Sequence, residues 1–299
     1  MSTTVAAPES AEEELRKPGL FMQFVKVWRK QPIGVFGGVL VLILVIMAVF
    51  ADFIAPYDPT RIFYEILSPA PPQFGFILGT DPFGRDIFSR IVYGAQTALF
   101  VGFTCAFVGA FTGLFLGVAS AYFGGIFDLL FQRVMDVFMA FPLIILALAV
   151  VSILGTGTEN VIIAITLPFI PQCARVIRSN ALALREIPYI DAARACGFSH
   201  TRIILRHMAP NVVAPFLIML TTFLGQAILL EASLSYLGLG VQEPTPAWGL
   251  MLQGAAEEYA ESAPWVAIWP GLAISIAVFG FNLLGDALRD TLDPRLRSR

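Results

Sequence analysis

The chain has 299 residues, of which 57% are hydrophobic and only 14% charged, with 19 basic and 22 acidic side chains for a net charge of −3. Soluble chains run roughly 45–50% apolar and about 25% charged, so this one lacks the charged skin that a soluble fold of its size needs. No clustered basic excess marks a nucleic-acid partner. Three scattered cysteines, Cys105, Cys173 and Cys196, are too few to staple a secreted scaffold and read as small packing residues.

A helix rising 1.5 Å per residue needs about 20 mostly apolar residues to cross a hydrocarbon core about 30 Å thick. Six windows approach that length: 33–51, 95–122, 128–154, 161–176, 212–230 and 265–284. The first has no charge between Lys30 and Asp52, the third is charged only in its first turns, and the fourth is broken by Pro168 and Pro171. The first window follows 32 residues that include the acidic run Glu12-Glu13-Glu14, and its apolar core exceeds the 7–15 residues of a secretory signal. It reads as an uncleaved anchor.

Six crossings put both termini on one side of the bilayer. With the N-terminus inside, the inner segments hold Arg16, Lys17, Lys26, Arg29 and Lys30, then Arg133, then Arg175, Arg178, Arg185, Arg194, Arg202 and Arg206, then Arg289, Arg295, Arg297 and Arg299. Outside stand only Arg61, Arg85 and Arg90. This sixteen-to-three split predicts cytoplasmic termini by the positive-inside rule. The expected architecture is an all-α integral membrane protein: a cytoplasmic segment 1–32, a first transmembrane helix 33–51, an extracytoplasmic loop 52–94, a core 95–287 with five further transmembrane helices, and a cytoplasmic tail 288–299.

Three connections are too long to be simple linkers. The outer loop 52–94 carries prolines at 56, 59, 69, 71, 72 and 82, which exclude a continuous helix and predict an ordered cap of turns. Within it, Asp81 before Pro82 is a turn signal, and Arg85 and Asp86 are placed to pair locally. The third connection, 231–264, is rich in proline and glycine. Its Trp248 and Trp265 suit a membrane interface, residues 250–259 suit a short amphipathic helix, and Glu231 is either interfacial or an intramembrane site.

The inner loop 180–211 is the most informative. Pro188 is placed to open a short helix, Asp191 sits in its first turns where the helix dipole favours an anion, and Gly197 supplies its stop. Ser199 is placed to cap a second helix through Met208 that Pro210 ends, with Ile203, Ile204 and Leu205 held against the inner membrane face. Ala192 and Ala193 let another backbone approach closely, while Asp191 and Arg194 set register. A short rigid helix between two transmembrane helices suits a push from a cytoplasmic partner; an interfacial anchor is the alternative.

Visible chemistry is sparse. With lysine only at 17, 26 and 30, no Gly-x-x-x-x-Gly-Lys-Ser/Thr loop for ATP exists. His200 and His207 lack a flanking set of metal ligands, and no hydrolase elbow or His-Glu-x-x-His helix occurs. The middles of the windows carry no charge, which disfavours an ion-coupled carrier, and Arg133 and Asp136 are spaced to pair on one helix face. Gln96, Thr104, Thr112 and Ser152 are uncharged polar residues suited either to lining a pathway or to facing neighbouring helices.

The stretch Asp191-Ala-Ala-Arg-Ala-Cys-Gly197, with Pro210 thirteen residues beyond it, resembles the cytoplasmic Glu-Ala-Ala-x-x-x-Gly loop of the permease subunits of bacterial ABC importers. It departs from the general pattern at Asp191, His207 and Ala209. Three further segments are similar to the second permease subunit of dipeptide, oligopeptide and nickel importers: Leu78-Gly-Thr-Asp-Pro-Phe-Gly-Arg-Asp-Ile-Phe-Ser-Arg90, Leu234-Ser-Tyr-Leu-Gly-Leu-Gly-Val-Gln242 with Pro246-Ala-Trp-Gly249, and Phe281-Asn-Leu-Leu-Gly-Asp-Ala-Leu-Arg-Asp290 with Leu292-Asp-Pro-Arg295. Together these cover the chain from about residue 20 to its end.

The resemblance implies a type I ABC importer permease fold in a bacterial inner membrane. It also implies a noncatalytic subunit that forms half of a pathway for di- or oligopeptides, or for a nickel chelate, glutathione, opine or oligosaccharide. Its partners would be a homologous second permease subunit in a heterodimer, two ATP-hydrolysing subunits that bind the ATP and magnesium, and an extracytoplasmic substrate-binding protein. The chain itself would bind no cofactor, and Asp191, Ala192, Ala193, Arg194, Gly197 and Pro210 would couple ATP hydrolysis to transport.

Overall fold

The computed structural model describes residues 31–66, 69–259 and 261–292. The acidic run Glu12-Glu13-Glu14, the cations Arg16, Lys17, Lys26, Arg29 and Lys30, and the tail cations Arg295, Arg297 and Arg299 lie outside the described residues. Among the described residues there is no strand, only two isolated antiparallel bridges in the outer loop, Gln73 with Phe76 and Thr80 with Asp86.

The helices in chain order are α1 (Pro32–Val49), α2 (Ala51–Ile54), α3 (Ile87–Phe123), α4 (Gly125–Met139), α5 (Leu143–Leu154), α6 (Thr158–Arg185) and α7 (Pro188–Ala195). There follow α8 (His200–Ile203), a π-helical stretch Ile204–Met208, a 3-10 turn Ala209–Val212, α9 (Val213–Tyr236), α10 (Trp248–Leu252), α11 (Ala255–Glu258) and α12 (Trp265–Leu292). Among the described residues, five helical segments are long and apolar enough to cross a membrane: α1, α3, α6, the continuous run His200–Tyr236 and α12. The pair α4 and α5 makes a sixth when taken as one bent span.

That bend corrects the expectation of a single straight helix over 128–154. The axes of α4 and α5 differ by 87°, and the break falls at Ala140-Phe141-Pro142, where Pro142 has ψ 137. Proline has no N–H to continue the ladder and pushes the preceding residue out of the helical region. The opposite correction applies to 161–176. Helix α6 runs unbroken through Pro168 and Pro171, both buried. A membrane-spanning helix tolerates proline where neighbouring helices and local adjustment satisfy the freed groups.

Helix α3 begins at Ile87, earlier than the window at 95, because Asp86 caps it: its carboxylate accepts bonds from the Ser89 N–H at 2.8 Å and the Ser89 hydroxyl at 2.6 Å. The helix is the hub of the fold, with packed faces toward α1, α6 and α9. Its approach to α6 depends on Gly109, Gly113 and Gly117, spaced four apart on one face. A Cβ at these positions would lie 2.7 Å from Phe169 Cβ, 2.5 Å from Cys173 Cβ and 2.6 Å from the Ala174 carbonyl oxygen. Small residues of this kind let membrane helices pack backbone to backbone. Phe169 and Phe223, both buried, stack at 4.2 Å between α6 and α9.

The region 250–259 is two short helices divided by Gly254, which has φ +73, rather than one amphipathic helix. Cys105 and Cys173 are buried packing residues, whereas Cys196 is exposed at the end of α7.

Candidate functional site

On the side predicted to be cytoplasmic, α6 hands the chain to α7 through Glu186 and Ile187. Pro188 stands at the first position of α7, where its missing N–H costs nothing. Asp191 lies in the first turn and Arg194 in the last, and the two pair at 3.1 Å with side chains 70% and 38% exposed. Gly197, at φ +75 with open space around it, makes the stop: its N–H reaches the Arg194 carbonyl at 2.9 Å, and the Phe198 N–H reaches that of Ala193 at 3.2 Å. A β-branched side chain would be strained at that φ.

The two small residues of α7 separate. Ala192 is exposed, whereas Ala193 is buried with Ile190 against the body of the protein. The exposed face thus offers Asp191, Ala192 and Arg194.

Ser199 caps the returning helix, its hydroxyl accepting from the Arg202 N–H at 3.4 Å. Pro210 is exposed and does not end this helix. The chain instead shifts to a π register, in which the Ala209 N–H bonds the Ile204 carbonyl, then tightens to a 3-10 turn and continues into α9. Pro210 has no N–H for the carbonyl four residues back, and the change of register absorbs that missing bond. Ile203 is buried, Ile204 half-buried and Leu205 exposed, so only the first two hold the hairpin against the protein.

Side chains brace the hairpin internally. The Tyr189 hydroxyl donates to the His207 carbonyl at 2.9 Å, and the Asn211 amide donates to the same oxygen at 2.7 Å. The His207 ring stacks on Phe198 at 5.7 Å, and the Arg202 guanidinium lies 4.0 Å from the Phe198 ring centre. The His207 ring thus serves packing, while the His200 Nδ1 shares a hydrogen bond with the Tyr122 hydroxyl. Among the described residues no group of three or more His, Cys, Asp or Glu is placed to hold a metal ion.

Sequence spacing missed the charges that join α6 to α4. Arg178 grips Asp128 with both Nε and Nη2, the Nε contact being 2.6 Å, while the Ser120 hydroxyl also donates to Asp128. Asp136 pairs with Arg175, its link to Arg133 being a looser 3.8 Å. These partners lie 39 and 50 residues apart, beyond the reach of helical periodicity, although the excess of arginine over 175–206 was the visible signal.

At the opposite end the outer loop forms a compact charge cluster. Arg85 does not pair with Asp86. Its Nε binds Asp81 at 2.6 Å, and its two terminal nitrogens take Glu243 at 2.7 and 3.1 Å. Burial works against the Arg85 charge, but Glu243 and Asp81 outweigh it and hold the guanidinium more firmly protonated than in water. Arg90, buried, donates to the Pro59 carbonyl at 3.1 Å and to Glu243 at 3.3 Å. Trp248 is not at a lipid interface: it is 1% exposed, and its indole N–H donates to the Ile91 carbonyl at 2.9 Å. Trp265 is half-buried. The cluster and Trp248 together bolt both outer loops onto the start of α3.

Of the polar pathway candidates, Gln96 donates to the Ala48 carbonyl at 2.9 Å and Ser152 back to Leu148 at 2.8 Å, so both serve helices. Thr104 and Thr112 are half-buried on α3. Glu231 is 1% exposed, buried within the protein near the outer end of α9. It accepts from the Ser235 hydroxyl at 2.7 Å, and the Ser235 oxygen in turn accepts from the Val241 N–H at 3.1 Å, tying α9 to the outer loop.

Comparison with known proteins is consistent throughout the chain. Residues 109–298 match the family described as the binding-protein-dependent transport system inner membrane component, and residues 19–72 match the N-terminal transmembrane domain of oligopeptide transport permease C. The glutathione transport system permease protein GsiD of Escherichia coli O157:H7 is 44% identical over 293 residues, covering 98% of this chain and 95% of that protein. The same-named protein of Shigella flexneri serotype 5b is 45% identical over the same span. Among solved structures, an inward-facing form of the MetNI methionine ABC transporter superposes with a TM-score of 0.55 at 22% identity, over 69% of this chain and 98% of that one. The last likeness establishes the fold, a type I importer permease. The chain therefore belongs to the inner membrane components of binding-protein-dependent transport systems, as a multi-pass, noncatalytic permease subunit of the oligopeptide permease C type in an ABC importer that works with ATPase and substrate-binding partners.

Proposed function

We propose that this chain forms half of the translocation pathway of an importer for small peptides, and that α7 is the helix through which partner ATPase subunits drive it. A homologous second permease completes the pathway, two ATPase subunits bind ATP and magnesium, and an extracytoplasmic binding protein delivers the cargo. The hairpin and both termini lie on the cytoplasmic side. The observation that carries this reading is α7 itself: an eight-residue helix with an exposed Asp191, Ala192 and Arg194 face, stopped by Gly197 and followed from His200 by a helical run that continues unbroken into α9. Pro210 serves at that connection rather than on the docking face. Glutathione, a tripeptide, is the cargo favoured by the named relatives; di- and oligopeptides are the broader class.

Capture tests the assembly. Purification through this chain should recover a second permease and two ATPase subunits, and Asp191→Arg should sharply lower ATPase recovery while membrane insertion stays normal. Vesicles carrying the captured complex and its binding protein should then take up labelled glutathione or a dipeptide only with ATP. Uptake driven by an ion gradient without partners would sink the proposal in favour of a secondary carrier.

A further inference from the structure

Helix α3 spans the molecule from the outer charge cluster to the hairpin, its 37 residues rising about 55 Å. At its outer end Arg90, through the Pro59 carbonyl and Glu243, and the Trp248 bond fasten it to both outer loops. At its inner end two consecutive residues receive side chains from both flanks of α7. Arg185, the last residue of α6, donates to the Ala121 carbonyl at 3.1 Å. His200, the first residue of α8, shares a hydrogen bond of 2.7 Å between its Nδ1 and the Tyr122 hydroxyl. From α7 itself, the Arg194 guanidinium lies 5.2 Å from the centre of the Tyr122 ring.

Three holds from before, within and after α7 therefore converge on Ala121 and Tyr122. Tyr122 is buried, so a displaced α7 must either break these contacts or carry the end of α3 with it. Along its length α3 lies against α6 through the glycine seam, where a Cβ would come within 2.5 to 2.7 Å of its neighbours. Closely packed elements of this kind move as bodies between discrete arrangements rather than deforming continuously.

We propose that Tyr122, held by His200 and Arg194, is the positioning residue through which displacement of α7 is passed to α3 and so to the outer loops. This rests on the reading of α7 as the ATPase docking helix. Tyr122 touches neither ATP nor cargo; it sets how faithfully one movement follows the other.

The test uses the complex captured through this chain, reconstituted in vesicles with its binding protein, and measures uptake per ATP hydrolysed. Tyr122→Phe removes the hydroxyl and keeps the ring beneath Arg194. It should assemble normally and hydrolyse ATP normally, yet lose about fivefold in uptake per ATP, the factor expected when one net hydrogen bond leaves a two-state balance. His200→Ala should give the same loss, the double variant no more, and His200→Asn, which keeps a polar atom near the position of Nδ1, should restore the ratio. A normal ratio in Tyr122→Phe overturns the inference, and so does a loss that tracks failed assembly. Asp191→Arg separates the two readings. If it releases the ATPase while Tyr122→Phe transports normally, only the Tyr122 link falls; if both variants behave normally, the docking reading falls with it.

Discussion

Two of the short-range Asp–Arg pairs among the described residues look alike in sequence and differ in burial and in partners. Asp81 and Arg85, four residues apart in the outer loop, have side chains 8% and 10% exposed, and Arg85 carries a second carboxylate, Glu243. Asp191 and Arg194, three apart on α7, are 70% and 38% exposed and have open solvent beside them. The outer pair sits where charges taken from water must be compensated by other charges and hydrogen bonds. The inner pair contributes little to stability and leaves its charge free to meet a partner. The comparison teaches that the outer loops are held fixed against α3, whereas the hairpin presents exposed charge, as the proposed docking role requires.

The largest effect should come from breaking the outer cluster. Arg90→Met removes a fully buried cation, leaves the buried Asp81 and the half-exposed Glu243 to share Arg85 alone, and should destabilise the protein by about 3–5 kcal/mol, read as a large drop in the thermal midpoint or in the yield of folded chain in detergent. The double variant Arg90→Met with Glu243→Met should recover part of that loss; an additive loss would show that the two do not share one network.

On the hairpin, Gly197→Val forces a β-branched residue to φ +75 at a cost of about 1–3 kcal/mol. Because the hairpin is exposed, the strain should be relieved locally, leaving insertion intact while uptake becomes uncoupled from ATP hydrolysis. Normal uptake by this variant in vesicles would remove the hairpin from the coupling route. The smallest effect belongs to Asp191→Asn, which breaks the exposed pair and should change stability by less than about 1 kcal/mol. A loss on the scale of Arg90→Met would mean that α7 is held as firmly as the outer cap.

Much of the architecture was legible before any coordinates. Lengths of apolar sequence mark spans because the bilayer sets one thickness, and every segment long enough to cross was found in a window identified by that rule. The hairpin was legible because Pro188, Ser199 and Gly197 act on their own neighbours: a ring that opens a helix, a hydroxyl that caps one and a backbone that turns at positive φ. Proline was the least reliable local signal. Pro142 breaks a span, while Pro168, Pro171 and Pro210 are absorbed into helical structure, because each outcome depends on whether neighbouring groups satisfy what proline cannot.

The sequence by itself determined a helical membrane subunit that carries no P-loop motif, and it picked out the hairpin proposed to dock the ATPase. Composition and short spacings suffice for that, since bilayer thickness and helix capping act locally along the chain. Only the tertiary structure decided that Trp248 and Glu231 are buried, that Arg85 answers to Glu243 across 158 residues, and that Tyr122 lies beneath Arg194 and against His200. Those facts depend on which side chains remote in sequence come to share a surface once α3 is packed among its neighbours, and no local period encodes that.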